Sequence, residues 1–131
     1  YKIGISIYKD HVLWIKGPFV ASTHDATMFR SKGGLHPEIP TGMRGVADSA
    51  YTKLLEWIST HRPSHSKEMT NFINRVRARH ENINARIKTF DILSETFRGS
   101  WGKREEHKMF FKAICVLIQY DMENGYPLME L

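Results

Sequence analysis

Residues 1–8 alternate apolar and polar with period two. Ile3, Ile5 and Ile7 fall on one face, with Lys2, Gly4, Ser6 and Tyr8 on the other, which predicts a strand. Lys9-Asp10 is a turn signal, and His11-Val12-Leu13-Trp14-Ile15-Lys16 predicts a second strand, so 1–16 reads as an antiparallel hairpin broken by Gly17-Pro18. A strand that starts at residue 1 with nothing before it suggests a chain that begins inside a larger fold. Ser22 or Thr23 is placed to cap a short helix through Arg30. Residues 31–43, with three Gly and two Pro, predict loop. Arg44 to Ala47 is apolar enough for a short buried strand, and Lys53 to Ile58 fits a helical turn or a strand. Residues 59–66 predict exposed loop.

Ser66 opens a long helix ending near Phe90-Asp91, with Glu68 one position short of a capping box. Phe72, Val76, Ile83 and Ile87 recur at helical spacing, Ile73 and His80 lie near the same stripe, and Arg75, Arg79, Glu81, Arg86 and Lys88 take more polar positions. Residues 92–104 read as irregular. Glu105 to Tyr120 predict a final helix, apolar over most of its surface and therefore largely buried against a sheet, and Asn124 to Pro127 predict a turn. Strands followed by helices give a small α/β or α+β layer in one domain spanning 1–131.

Composition sharpens this picture. Of 131 residues, 41% are hydrophobic and 25% charged, which is globular rather than disordered. The net charge of +5 favours polyanionic partners, and its placement matters more than its size. Residues 62–88 hold seven Lys or Arg against two Glu, whereas the last eleven residues carry three acids and no base. Cys115, the single cysteine, sits in an apolar run as a buried thiol and fits a reducing compartment. No apolar run approaches the ~18 residues of a membrane span, and no Walker loop or GxGxxG points to a nucleotide cofactor. Histidine spacing does not suit structural zinc.

Two acids stand out. Asp48 follows Val46-Ala47, where loops at strand ends place reactive groups; it would equally start a turn or cap a helix. Glu81 sits within the basic run 75–88, where an ion pair with Arg77 four residues earlier would also explain it. A carboxylate at a strand end and one on a basic helix are what a metal-dependent phosphoryl-transfer site on nucleic acid needs. Hard Mg²⁺ or Mn²⁺ prefers such oxygen ligands, and a polyanion relieves the crowding of arginines. His24-Asp25 is a further couple able to orient water, or an acid serving a helix N-terminus.

The segments Ile15 to Phe19, Thr23-His24-Asp25-Ala26-Thr27-Met28-Phe29-Arg30, Val46-Ala47-Asp48-Ser49-Ala50-Tyr51, Asn74 to Lys88 and Glu123 to Leu128 together resemble the DDE superfamily endonuclease domain. The similarity is to Harbinger-type and related transposases and the host proteins derived from them. It runs along essentially the whole chain in the family's order, and the arginine-rich segment around Glu81 is its most specific piece. The resemblance implies a truncated RNase H-like α/β fold, a mixed sheet with an N-terminal antiparallel hairpin and packed long helices. It implies three carboxylates that hold two divalent metals for DNA strand cleavage or transfer. Asp48 matches the second catalytic Asp, Glu81 the catalytic Glu, and Asp25, after His24, the acid of an accessory His-Asp motif. The family's first Asp lies upstream of the hairpin and has no counterpart here, Asp10 being a poor substitute. The isolated chain is therefore expected to cleave weakly or not at all. The resemblance further implies DNA as partner, contacted by Arg75, Arg77, Arg79, Arg86 and Lys88. It implies a separate DNA-binding protein or domain, no membrane, and a nuclear location, with a cytoplasmic one standing otherwise. In the nuclease reading Asp48 and Glu81 come within the ~4–6 Å reach of a shared metal. The alternatives are a catalytically inactive domesticated or truncated relative that binds DNA or protein, and a plain structural module.

Overall fold

The alternation at the N-terminus forms the hairpin it predicts. Strand β1 (Lys2–Ile5) pairs antiparallel with β2 (Val12–Lys16), Lys2 opposite Lys16 and Ile3 opposite Ile15, with an irregularity between Gly4 and Ile5. The connection is wider than a two-residue turn, closing where the Ser6 N–H donates to the His11 carbonyl. A computed structural model describes residues 1–19, 22–94 and 103–131 of the chain. The expected irregular stretch 92–104 lies mostly outside the described residues, apart from the short helix α3 (Asp91–Ser94) and the start of the last helix.

Between the hairpin and the long helix lie α1 (Asp25–Arg30), β3 (Gly45–Val46), a 3₁₀ helix at Ser49–Leu54, and β4 (Ile58–Ser59), which pairs parallel with β3. His24 takes the N-cap position of α1, in place of the expected Ser22 or Thr23, and makes no side-chain cap bond. Residues 58–59, read from sequence as the end of a helical turn or strand and the start of a loop, join a strand through long-range bonds. The Gly45 N–H donates to the Trp57 carbonyl and the Ala47 N–H to that of Ser59. The chain is thus mixed α/β, with the expected hairpin and long helices. Among the described residues its strands form two separate two-stranded sheets rather than one mixed sheet.

Helix α2 (Lys67–Lys88) carries the basic run, and α4 (Arg104–Glu123) follows α3. Ser66 caps α2, its Oγ accepting from the Met69 N–H at 3.2 Å. The buried stripe of α2 is Ile73, Val76, Arg79, Ile83 and Ile87, so Ile73 rather than half-buried Phe72 begins it.

The described residues group into two compact units. The first comprises Tyr1–Pro18 and Arg79–Glu130. Its core joins Ile83 and Ile87 of α2 to Phe111, Ile114, Cys115, Ile118 and Met122 of α4 and to Leu128, with Ile3, Ile5, Val12 and Ile15 of the hairpin packed against them. Burying each such side chain is worth ~1.5–3 kcal/mol. Gln119 of α4 ties the hairpin to this core. Its Oε1 accepts from the Val12 N–H at 2.9 Å and its Nε2 donates to the Asp10 carbonyl at 2.8 Å. Burial pushes the Cys115 thiol up to about 11, which makes it an unreactive core residue.

The second unit comprises Phe19–Ala78 with Leu131. Phe29, Leu54 and Ile58 form its core, with Ala26, Leu35, Ala47, Tyr51 and Trp57 around them. Gly34 closes the turn after α1, donating to the Ser31 carbonyl. A Cβ there would lie 2.3 Å from the Phe29 carbonyl oxygen and 2.6 Å from that of Met28. Backbone cannot yield as a flexible side chain does. Gly34→Ala is therefore expected to destabilise the unit by about 2 kcal/mol, measured by chemical denaturation.

Candidate nucleic-acid and carboxylate site

Asp48 ends the segment Gly45-Val46-Ala47 and caps the 3₁₀ helix, its Oδ1 accepting from the Ala50 N–H at 2.9 Å. The capping role expected of such a residue is thus filled by one oxygen. The carboxylate is exposed, and Oδ2 makes no hydrogen bond or ion pair among the described residues. Asp48 belongs to the second unit.

Asp25 lies in the same unit, at the first turn of α1. Helix α1 packs on the 3₁₀ helix through Phe29, whose ring meets Tyr51 edge-on at 6.3 Å. Tyr51 is half-buried, and its phenol is pushed up to about 12 by burial, then by the carboxylates of Asp25 and Asp48. The two acids singled out from sequence in this part of the chain therefore both act on one hydroxyl. His24 is exposed, and its carbonyl accepts from the Thr27 and Met28 N–H groups.

Tyr51 is the residue that sequence reasoning passed over. The available signal was its place one 3₁₀ turn beyond Asp48. Its hydroxyl stays protonated at neutral pH and is a hydrogen-bond donor there. Raised above its ordinary value of 10, the phenol contributes stability that is full below pH 10 and lost as pH climbs toward 12. In an alkaline absorbance titration, Tyr51→Phe is expected to remove the ionisation step near pH 12.

Glu81 belongs to the first unit, on α2. It is exposed and lies away from the buried stripe of that helix. Among the described residues it makes no hydrogen bond or ion pair, and the pairing with Arg77 does not form. Its neighbour His80 is fixed: Nε2 lies 3.1 Å from the Ile3 carbonyl, to which it donates, and Nδ1 accepts from the Asn84 amide at 3.2 Å.

The basic residues divide. Arg75, Arg77 and Lys88 are exposed, Arg77 and Lys88 on the same side of α2 as Glu81. Arg79 departs from the expected exposed face. It is 4% exposed, with Nη2 donating to Asp10 Oδ1 at 2.9 Å and to the Lys9 carbonyl at 3.2 Å, and Nη1 to the Met129 carbonyl. It lies three residues after Val76 and four before Ile83, on the apolar stripe, so its charge is spent on the hairpin turn and the C-terminal segment. Arg86 is half-buried and also holds that segment, through the Tyr126 and Pro127 carbonyls at 2.6 and 3.0 Å and through Asn82 Oδ1 at 2.8 Å. The ion pair of Asp10 with Arg79 likewise makes that acid structural.

Among the described residues no group of three or more His, Cys, Asp or Glu side chains is assembled to hold a metal. The donors offered singly do suit one. Asp48 and Glu81 present hard carboxylate oxygens that form no ion pair among the described residues. Among the described residues no helix is long and apolar enough to cross a membrane.

Comparison with known proteins adds one finding. A family model described as DDE superfamily endonuclease matches residues 4–119. No curated protein and no solved structure matches the chain.

Proposed function

The chain belongs to the DDE superfamily of endonucleases, and from that premise we propose that it acts in metal-dependent hydrolysis or strand transfer of DNA phosphodiesters. Asp48 and Glu81 are two of the carboxylates that carry the reaction, on the Harbinger-like motif order of the chain and within an RNase H-like core. The observation that carries the reading is that both acids are exposed and make no ion pair among the described residues. Asp48 and Glu81 would hold Mg²⁺ or Mn²⁺, which would supply activation of the attacking oxygen and charge stabilisation of the leaving one. Asp48, fixed at the start of the 3₁₀ helix by its bond to Ala50, keeps one oxygen free for that purpose. Tyr51 offers a neutral O–H beside the Asp25 and Asp48 carboxylates. Arg77 and Lys88, on the side of α2 that carries Glu81, meet the DNA phosphates.

Binding has its own signature. Each phosphate contact contributes roughly 0.9 to the slope of log K against log salt. Arg77→Ala and Lys88→Ala are each expected to weaken duplex binding and reduce that slope by about one. Arg86→Ala should leave the slope unchanged, because Arg86 is engaged with backbone carbonyls. Catalysis itself is tested by nicking of supercoiled DNA by the full-length protein with magnesium and with a chelator. Magnesium-dependent nicking supports the reading. Salt-sensitive DNA binding without nicking would favour the inactive relative, and the absence of both would reduce the domain to a structural module.

A further inference from the structure

Helix α4 is apolar on two sides. One side, formed by His107, Phe111, Ile114, Cys115, Ile118 and Met122, is buried in the core of the first unit. The opposite side carries Met109, Ala113, Val116 and Tyr120 at helical spacing, flanked by Phe110 and Leu117, and is open. Met109 and Val116 are each 68% exposed, Tyr120 62%, Leu117 51% and Phe110 49%. The sequence predicted a largely buried helix; the structure covers half of it. Five large apolar side chains in one stripe exceed the scattered exposure normal for a soluble surface.

We propose that this face is a self-association surface, on which a second copy of the chain packs its own α4 antiparallel about a two-fold axis near Leu117. Two features select a second copy as the occupant. The first is area. The stripe exposes on the order of 600 Å² of apolar side chain, close to the ~800 Å² each partner of a stable dimer covers, and its polar rim supplies the remainder. The second is charge. Lys112 and Glu123 lie on the same flank of the stripe, three helical turns apart, and both are exposed. Lys112 makes no ion pair among the described residues, and Glu123 accepts only from Gln119, at 2.7 Å. In a two-fold antiparallel pair a flank meets its own copy. An axis midway between the two residues therefore sets Lys112 against Glu123 of the second copy, twice. The same register carries Glu105 and Glu106 beyond the end of the opposing helix. Pairing centred on the middle of α4 would instead press those acids against Glu123. The acidic ends of the helix also make this face a poor one for DNA, which leaves the exposed cations of α2 for that partner.

The test is the oligomeric state of the chain by sedimentation equilibrium. A dimer with a micromolar or tighter constant is expected. Lys112→Glu and Glu123→Lys should each weaken it about tenfold, and the double swap should restore it. Val116→Asp should give a monomer whose thermal midpoint, read at a concentration where the parent chain is also monomeric, is unchanged, since Val116 lies outside the core. A chain monomeric at about 100 μM overturns the proposal. So do disordered higher oligomers, and so does a dimer indifferent to Val116→Asp or unrescued by the double swap.

Discussion

Arg79→Ala is expected to destabilise the protein by about 2–3 kcal/mol, lowering the thermal midpoint by on the order of 10 °C, although the residue sits in the run that most suggests DNA binding. Breaking a buried pair by removing one partner costs ~3–5 kcal/mol when the other charge is stranded. Here the discount is visible: the Asp10 side chain is 28% exposed, so water can take over part of the guanidinium's role. Lys9 and Met129 are exposed too, and their carbonyls can be rehydrated. What water cannot replace is the buried stem of Arg79, which fills the stripe between Val76 and Ile83, and the tie it makes among α2, the hairpin turn and the C-terminal segment. Arg79→Lys keeps the charge but loses the fork that reaches three acceptors, so it should recover less than half of the loss. Chemical denaturation of the two variants beside Arg77→Ala measures this. Arg77→Ala, at an exposed position, should change stability by less than about 0.5 kcal/mol. Equal effects at 77 and 79 would contradict the assignment.

This divide marks how far the sequence could be read. The hairpin and both long helices were legible because period-two and period-3.6 patterns ran long enough to show. The α2 stripe was legible in outline, yet its spacing also placed Arg79 on the buried side, and residue type obscured what position showed. Strand β3 was read from its short apolar run, but its pairing was not: β3 and β4 span two residues each, too few for any period, and are joined by hydrogen bonds between segments a dozen residues apart. The two sides of α4 look alike in sequence, because apolarity records the need for a partner and not whether the chain supplies one. Asp48 and Glu81 were singled out by motif and by chemical type. That Tyr51 stands beside Asp48 and Asp25 depends on the packing of α1 against the 3₁₀ helix, which no local pattern encodes.

Loss of either carboxylate is expected to have the largest effect of all on function. Asp48→Asn and Glu81→Gln keep shape and remove the negative oxygen that a divalent cation requires. Each should cut cleavage by on the order of 10³-fold, equivalent to ~4 kcal/mol of transition-state stabilisation. Stability should hardly change, since both side chains are exposed and the Asn amide oxygen can still accept from the Ala50 N–H. Groups that act as a unit are not additive, so the double variant should be no slower than either single one. The decisive measurement is the single-turnover nicking rate of the full-length protein in magnesium, compared among the parent, Asp48→Asn, Glu81→Gln and the double variant. The account predicts that all three variants fall to the same floor while duplex binding persists. Magnesium-dependent nicking that survives both single substitutions at the parent rate would contradict it.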